Sequence, residues 1–295
     1  MTPPDEATIL FEAHRPRLVR LAYRMLGSMA EAEDIVQEGW LRWQRVDLDE
    51  VLEPSAFLRR IITRLCLDAM KSARARRETY VGSWLPEPVV EPQDDATRPD
   101  ELTLTLMLVL ERLSPLERAA FLLHDVFGDP LDEIATALDR DAAAVRQLAV
   151  RARRHVRAAR LRYPVAREEG DRIAHAFFTA SNSGDLAALR SLLAQTVVLT
   201  ADGGGKVHAF LNPIFGLDRV LRLYHGLHRK PTGEPASFIK PLWIDGLPGY
   251  ASRERDGVLQ TTAFEIDNGR IVAIYITRNP EKLTDVTRRV LKAGS

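Results

Sequence analysis

The sequence predicts two all-α helical domains, the second with a helix-turn-helix, followed by an α+β domain with a curved antiparallel sheet. Apolar residues recur at helical spacing before residue 80 and again over 101–162. A proline-rich segment separates these two blocks. Alternating apolar runs and hairpin turns follow after about residue 167. The 295 residues, 45% of them hydrophobic, suffice for two or three domains with real cores.

Composition excludes several classes of protein. The 41 basic and 41 acidic side chains cancel, so the overall charge indicates no partner. The single cysteine, Cys66, excludes an internal disulfide and a cysteine-based metal cluster, and we expect no metal and no cofactor. The N-terminus has no signal-peptide pattern, and no run approaches the roughly 18 to 20 apolar residues that span a bilayer. We therefore expect a cytoplasmic protein with no membrane partner.

The first block, residues 1–80, contains an acidic helix beside a basic one. Gly27 ends one helix, a capping box at Ser28 and Glu31 starts the next, and a third begins near Pro54. The outer face of the second helix carries Asp34, Gln37 and Glu38 at i, i+3, i+4. The third helix carries a basic stripe that includes Arg59, Arg60, Arg64, Lys71 and Arg74. An acidic helix beside a basic one predicts two partners, a basic or polar protein and a nucleic acid.

Residues 81–100 predict an extended linker, because they contain four prolines and many acids. Exposed linkers seldom contain a tryptophan, so we expect Trp84 to pack on a neighbouring domain. The run around it is Trp84, Leu85, Pro86, Glu87 and Pro88.

The second helical block, residues 101–165, predicts a DNA-binding helix-turn-helix. A capping box starts at Ser114, and a short helix over 131–138 is followed by a tight turn and a longer helix from Ala142. From Arg140 to Arg162 there are eight arginines and one acid, which is typical of a phosphate-backbone partner. A solvated basic helix is the competing interpretation. The candidates are Arg146 and Gln147 for base edges and Arg140, Arg151 and Arg154 for further DNA contacts.

The third block, residues 166–295, predicts two helices followed by a meander. The helices end at Ser183 and Ala194. Turn signals occur at Asp256-Gly257 and over 267–269. The predicted strands are 196–200, 238–244, 249–255, 258–266 and 271–277.

Three glycines and a lysine at 203–206 suggest a phosphate-binding loop. A Walker loop requires glycine where Thr200 stands and serine or threonine where Val207 stands. Both positions fail, and the residues after Lys206 predict an extended segment where a phosphate loop would begin a helix. The sequence therefore favours a glycine-rich turn between strands.

The two helical blocks resemble the extracytoplasmic-function (ECF) sigma factors of bacterial RNA polymerase. The resemblance is carried by EAEDIVQEGWLRWQR, FLRRIITRLCLDAMKSARARR and the segment from SPLERAAF to RARRHVR. It implies that residues 1–80 bind core polymerase and the −10 element, and that 101–165 bind the −35 element. The implied partners are core polymerase, through its β′ clamp and β flap, and promoter DNA. The implied clamp contacts are Asp34, Gln37, Glu38 and Leu41.

Three short motifs resemble an ECF subgroup that carries a fused C-terminal SnoaL-like domain, here 166–295. The motifs are WLPEP, DGGGK and NPEKL, and glutamate stands at 281 where the subgroup usually has aspartate. The resemblance implies that this domain replaces a separate anti-sigma protein and that the motifs lie together. We expect Trp84 to be the apolar anchor and Lys206 or Lys282 to pair with Glu87. The implied regulatory residues are those of WLPEP with Asp202, Gly203, Gly204, Gly205, Lys206, Asn279, Pro280, Glu281, Lys282 and Leu283.

Two other functions stay open at this point. A SnoaL-like enzyme fused to a DNA-binding module would use polar residues of its cone for acid–base chemistry. The candidates are Asp202, His208, Arg253 and Tyr275, and none forms a pair with diagnostic spacing. A helix-turn-helix repressor with a ligand-sensing domain leaves the acidic helix and the first basic block unexplained. An unidentified small ligand in the third domain is compatible with each of these functions. We expect the chain not to be an enzyme.

Overall fold

The chain forms two compact units. The computed structural model describes residues 6–91, 104–158, 165–229 and 233–291, with the backbone alone at 72–78, 158 and 291. The first unit combines Met1–Glu78 with Leu106–Arg160, and the second combines Thr79–Thr105 with Leu161–Ser295. The linker segment therefore belongs to the same unit as the third domain.

The first unit is helical. Its elements are α1 (Glu6–Leu26), α2 (Met29–Trp43), a 3₁₀ turn (Leu48–Glu50), α3 (Pro54–Glu78), α4 (Leu104–Leu110), α5 (Pro115–Phe121), a π-helical turn (Leu122–Val126), α6 (Leu131–Leu138) and α7 (Ala142–Ala158). Trp43 is fully buried, and its indole N–H donates to the carbonyl of Ala7 at 2.8 Å. Its ring lies 5.9 Å from that of Phe57, so α1, α2 and α3 share one core.

Local signals in the sequence account for the helix boundaries of the second helical domain. Ser114 and Glu117 form the predicted capping box at the start of α5. Asp139 adopts a left-handed conformation (φ 53°) that ends α6, and the Asp141 carboxylate accepts from the Ala144 amide at 2.7 Å to begin α7. The predicted helix-turn-helix is confirmed, with its turn over residues 139–141.

The second unit is an α+β domain with a six-stranded sheet in the order β2-β1-β6-β5-β4-β3. Strands β3 to β6 form the predicted antiparallel meander. One pair departs from the antiparallel pattern, because β1 runs parallel to β6. The strands are β1 (Leu193–Asp202), β2 (Ile214–Phe215), β3 (Ser237–Ile244), β4 (Leu247–Arg253), β5 (Leu259–Asp267) and β6 (Arg270–Thr277).

Helices cover the sheet and bury an aromatic core. They are α8 (Arg167–Ser183), α9 (Leu186–Leu192), α10 (Leu217–Arg229) and α11 (Thr284–Leu291), and a 3₁₀ turn spans Pro280–Leu283. Phe177 of α8 lies 4.9 Å from Phe264 of β5, measured between ring centroids. Helix α10 and the two-residue strand β2 were not predicted from the sequence. Among the helices in the described parts of the chain, none has the length and apolar character needed to cross a bilayer.

Hairpin turns occur where the sequence predicts them. Gly257 (φ 78°) lies in the β4–β5 turn, and Asn268 and Gly269 (φ 49° and 71°) lie in the β5–β6 turn. A further turn at Asp245 and Gly246 (φ 45° and 74°) joins β3 to β4. The end of β6 lies beside the end of β1, because parallel strands leave a sheet at the same edge.

Candidate functional site

A buried carboxylate at the end of β1 collects four hydrogen bonds. The side chain of Asp202 has no exposed surface. One of its oxygens accepts from the Tyr80 hydroxyl at 2.5 Å and from the Gly204 amide at 3.0 Å. The other accepts from the Leu85 amide at 2.9 Å and from Lys282 Nζ at 2.8 Å. Because a buried carboxylate must be paired and hydrogen-bonded, this set of donors explains why Asp202 can be buried there.

Lys282 connects the same carboxylate to the linker. Its Nζ donates to the Leu85 carbonyl at 2.5 Å as well as to Asp202, and its side chain is 13% exposed. The ammonium also lies 4.2 Å from the ring centroid of Trp84 and 4.9 Å from that of Tyr80. A partly desolvated cation over an aromatic face gains electrostatic attraction from the ring quadrupole. We call this group the docking site: Tyr80, Trp84, Leu85, Asp202, Asn279 and Lys282.

The WLPEP segment is buried against the third domain. Trp84 is half-buried, and the side chains of Leu85, Pro86, Glu87 and Pro88 are buried or nearly so. Two prolines hold this segment extended before it docks, so less conformational entropy is lost on docking. The sequence suggested Glu87 as the partner of Lys206 or Lys282. The structure pairs Lys206 with Glu281 and Lys282 with the buried Asp202.

The linker continues along the exposed edge of the sheet. Val90 forms an antiparallel bridge with Ile244 of β3, and the Glu91 amide donates to the Trp243 carbonyl at 2.9 Å. The Glu91 carboxylate accepts from the Gly246 amide at 2.8 Å and from Arg167 at 2.9 Å. These backbone contacts cover the last residues of the edge strand β3, which would otherwise present unpaired N–H and C=O groups there.

The glycine-rich turn lies against Asn279 and the linker. The amide of Lys206 donates to the Gly203 carbonyl at 3.0 Å, and Gly204 and Gly205 have φ values of 62° and 70°. A Cβ on Gly204 would stand 2.4 Å from Asn279 Nδ2. Lys206 forms an exposed ion pair with Glu281. The DGGGK and NPEKL motifs are therefore in direct contact, and close backbone approach is the reason for the glycines.

Tyr80 is a docking-site residue that the sequence did not single out. Its hydroxyl donates to Asp202 and accepts from Asn279 Nδ2 at 2.9 Å. Burial and the hydrogen bond to Asp202 raise its pKa well above the ordinary value of 10.0. It precedes WLPEP by four residues with no motif of its own, so only the tertiary contact identifies it.

The residues proposed for polymerase binding form an exposed face on α2. Asp34, Gln37, Glu38 and Leu41 are all exposed, and Glu38 also pairs with Arg42 at 3.1 Å. On α7, Arg146, Gln147 and Arg154 are exposed, and Arg151 is exposed while pairing with Glu117 at 3.1 Å. These faces are available to large partners.

The basic stripe on α3 is only partly available. Arg59 and Arg64 contact the second helical domain. Arg60 stacks over Phe57 with its guanidinium 4.8 Å from the ring centroid, and Lys71 pairs with Asp68. The side chain of Arg74 lies outside the described residues. Arg140, after α6, is exposed and donates to the carbonyl of its neighbour Asp139.

A cavity of about 180 Å³ opens in the third domain, away from the residues that the sequence suggested for it. Asp202 lies in the docking site, Tyr275 donates to Glu265 and Arg253 donates to the Gly257 carbonyl. None of these three side chains, nor His208, lines this cavity. The lining residues are Ser181, Asn182, Tyr224, Leu227, His228, Tyr250, Glu254, Arg255, Asp256, Gln260 and Arg278.

Glu254 gives the cavity a pH-dependent contribution to stability. Burial raises the pKa of its carboxyl above the ordinary value of 4.5, and the nearby Asp256 adds to the rise. Above pH 4.5 the folded protein therefore keeps a proton that the unfolded chain releases. The free energy of unfolding contributed by this group falls as pH rises through the pKa of folded Glu254.

We expect Glu254→Gln to remove that part of the pH dependence, because glutamine does not titrate. The free energy of unfolding is measured by denaturant titration at several pH values from 4.5 upward. Glu234→Gln, at an exposed glutamate of the same unit, is the matched control. If the free energy of unfolding varies with pH in the same way in both variants and in the unaltered chain, this role of Glu254 is contradicted.

Three features define the class of protein as a transcription initiation factor. They are the exposed acidic face of α2, the helix-turn-helix with its arginine-rich α7, and the α+β domain that holds the linker. The chain belongs to the extracytoplasmic-function sigma factors of bacterial RNA polymerase and directs promoter-specific initiation. Residues 10–76 match the family model of Sigma-70 region 2, and residues 103–156 match that of Sigma-70, region 4.

Two relatives match nearly all of the chain. The chain is 38% identical over 301 residues to the ECF RNA polymerase sigma factor SigJ of Mycobacterium tuberculosis (strain ATCC 25618 / H37Rv). That alignment covers 93% of this chain and 92% of SigJ. The chain is 34% identical to the probable ECF sigma factor SigI of the same strain over the full length of both. The crystal structure of M. tuberculosis SigJ matches with a TM-score of 0.74 and 35% identity, covering 93% of this chain and 97% of that one. The predicted fold class, two helical sigma domains followed by a SnoaL-like α+β domain, is confirmed.

Proposed function

We propose that the third domain sets the activity of this sigma factor by holding the linker between its two DNA-binding domains. The observation that carries the proposal is the buried Asp202, whose donors come from the linker (Tyr80 and Leu85) and from the third domain (Gly204 and Lys282). An anti-sigma protein acts as a separate chain, whereas here the regulatory contact is intramolecular and its effective concentration is high.

The linker begins directly after α3 and leads to α4, so its docking fixes two attachment points. Tyr80 is held at one end, and at the other the Leu104 amide donates to the Asp245 carbonyl at 2.8 Å. A tethered linker has fewer conformations than a free one, and the spacing of the elements it joins varies less. We propose that this restriction favours simultaneous engagement of the −10 and −35 elements.

The exposed faces of the helical domains supply the remaining roles. The α2 face of Asp34, Gln37, Glu38 and Leu41 binds the polymerase clamp. Within α7, Arg146 and Gln147 occupy the first turns and reach base edges, while Arg151 and Arg154 lie further along and contact phosphates. The protein acts in the cytoplasm with core polymerase.

The proposal contains no catalytic step. Asp202, the acid that the sequence suggested for general acid–base chemistry, has both oxygens occupied by four donors and is closed to solvent. A general base must lie within hydrogen-bond reach of a substrate proton, and this carboxylate has no free lone pair facing a cavity.

Run-off transcription with core polymerase tests the proposal. We expect Lys282→Gln to lower the yield about fivefold or more, at the lower end of measured couplings between two sites. Lys206→Gln is the matched control, because Lys206 is a lysine of the same unit whose ion pair with Glu281 is exposed. A yield that is unchanged or raised in Lys282→Gln would contradict the proposed role of docking.

A further inference from the structure

Helix α10 has a basic outer face that takes no part in holding the linker. Its inner face packs into the core of the third domain through Leu217, Val220 and Leu221, which are buried. Basic side chains lie on the opposite face, within about a third of the circumference of a helix with 3.6 residues per turn. We call these four exposed residues the α10 stripe: Arg219, Arg222, His225 and Arg229. The stripe faces solvent along most of the helix.

The α10 stripe lacks the partners that a stabilising role requires. Among the residues that the structure describes, no carboxylate pairs with its three arginines. Asp218, the acid on the same face of α10, contacts Arg190 of α9 at 3.4 Å, which places another arginine beside the stripe. Other arginines of this domain do have such partners, and Arg278 pairs with Asp256 at 2.6 Å. The charge of the stripe is therefore left uncompensated within the domain.

The helix itself explains only part of the stripe. A helix carries partial positive charge at its N-terminus and partial negative charge at its C-terminus. Arg229 is the last residue of α10, where a cation is favoured. Arg219 lies in the first turn, where a cation is disfavoured. Arg219 and the mid-helix Arg222 thus indicate a partner outside the domain.

The spacing of the stripe fits a polyanion. Arg219 and Arg229 lie at opposite ends of α10, about 15 Å apart along the helix axis. A single small anion would need arginines that converge on one point, whereas the phosphates of one DNA strand recur about every 3.4 Å along the duplex. Guanidinium groups bind phosphate oxygens through paired N–H donors. A nucleic-acid backbone is the partner that fits this row of guanidinium groups.

The covalent connection keeps the third domain close to DNA when the helix-turn-helix is engaged. Helix α7 ends at Ala158, and α8, the first helix of the third domain, begins at Arg167. A chain of this length spans at most about 30 Å even when it is fully extended. A contact from the third domain to the same duplex is then intramolecular, so individually weak phosphate contacts contribute to binding.

We infer that the α10 stripe binds phosphates of the promoter DNA that the helix-turn-helix engages. The third domain then contacts the promoter directly, in addition to holding the linker. These contacts read no base sequence, because phosphates carry none, and they add affinity that falls as salt rises. The inference does not depend on linker docking, since the stripe and the docking site share no residue.

The salt dependence of promoter binding tests this contact in the holoenzyme. We expect Arg222→Gln/Arg229→Gln to reduce the slope of log affinity against log salt concentration by about 1 to 2, because each phosphate contact contributes about 0.9. Binding to a labelled promoter duplex is measured by fluorescence anisotropy at several salt concentrations. Arg172→Gln/Arg288→Gln is the matched control, since it removes the same charge from exposed arginines of the same unit that pair with carboxylates. Equal slopes in the two double variants would overturn the inference.

Photo-cross-linking identifies the partner of the stripe. Gly226 lies within the stripe and is exposed, and no heavy atom of the described residues lies within 4 Å of an added Cβ. Gly226→Cys carries a photoactivatable thiol reagent, and Arg288→Cys, at an exposed residue of α11, is the control site. The native Cys66 is buried and its pKa is raised by burial, so its thiol does not compete for the reagent.

We expect the holoenzyme–promoter complex to give a DNA cross-link from position 226 with a yield several times that from position 288. A cross-link from position 226 to a polymerase subunit alone would assign the stripe to an acidic protein surface and overturn the inference. Equal DNA yields from the two sites would overturn it as well.

Amide hydrogen exchange separates this inference from linker docking. We expect the Leu85 amide to exchange at the same rate in Arg222→Gln/Arg229→Gln as in the unaltered chain, because neither arginine contacts the linker. Faster exchange at Leu85 would show that the double variant perturbs the domain, and the cross-link from position 226 then decides the inference.

Discussion

Asp202→Asn is expected to destabilise the second unit by about 3 kcal/mol or more, because breaking one side of a buried ion pair leaves an uncompensated charge. The stranded charge is that of Lys282, which is 13% exposed. Asparagine also replaces one acceptor oxygen with an N–H donor group. At least one of the four donors that now face the carboxylate would then meet another donor, which adds a desolvation penalty.

Denaturant unfolding of the full chain measures this effect, and the transition is monitored with a probe in the second unit. Asp218→Asn is the matched control, since Asp218 is an exposed aspartate of the same unit that pairs with Arg190 at 3.4 Å. An exposed pair contributes about 0 to 1 kcal/mol. If Asp202→Asn and Asp218→Asn unfold at the same denaturant concentration, Asp202 does not hold the docking site together.

Gly204→Ala is expected to lower the free energy of unfolding by about 3 kcal/mol, as the sum of a backbone cost and the displacement of a buried side chain. Gly204 has φ 62°, which favours glycine. The added Cβ would stand 2.4 Å from Nδ2 and 2.6 Å from Cγ of Asn279. Asn279 is 2% exposed and bonds Tyr80 and the Glu281 amide, so its movement disrupts the docking site.

Gly257→Ala separates the two contributions. Gly257 has φ 78°, and no heavy atom of the described residues lies within 4 Å of the place that an added methyl group would take, so alanine there meets the backbone cost alone. That cost is about 1 to 2 kcal/mol for a residue other than glycine in this region. We expect Gly257→Ala to lose less free energy of unfolding than Gly204→Ala. Equal losses of unfolding free energy in the two variants would show that Asn279 yields to the methyl group at no cost.

Much of the fold follows from local signals. The capping box at Ser114 begins α5, and the turn glycines at 257 and 269 lie in hairpins as predicted. The parallel pairing of β1 with β6 could not be predicted, because strands far apart in the sequence are paired by tertiary packing. Helix α10 follows a short segment with one proline and one glycine, Pro213 and Gly216, which obscures its beginning. Periodicity reports which face of an element is buried but not its partner strand.

The docking site, like the fold, could be predicted only in part from the sequence. The three motifs predicted the segments that meet, and the failed Walker spacing around Thr200 and Val207 argued against a nucleotide loop. The pairing of individual charges could not be predicted, because Lys206 and Lys282 are both near carboxylates and only burial distinguishes them. Lys282 reaches the buried Asp202, whereas Lys206 remains in an exposed pair. Tyr80 carried no signal at all, since a single tyrosine in a linker has no periodicity to report.

The central claim, that Asp202 and Lys282 hold the linker on the third domain, is tested most directly by amide hydrogen exchange at Leu85 in the full chain. The Leu85 amide donates to Asp202, so we predict strong protection, and about 100-fold faster exchange in Lys282→Gln if about 3 kcal/mol of local stabilisation is lost. Lys206→Gln should leave this exchange rate unchanged. A Leu85 amide that exchanges at the rate of an unstructured chain in the unaltered protein would contradict the claim.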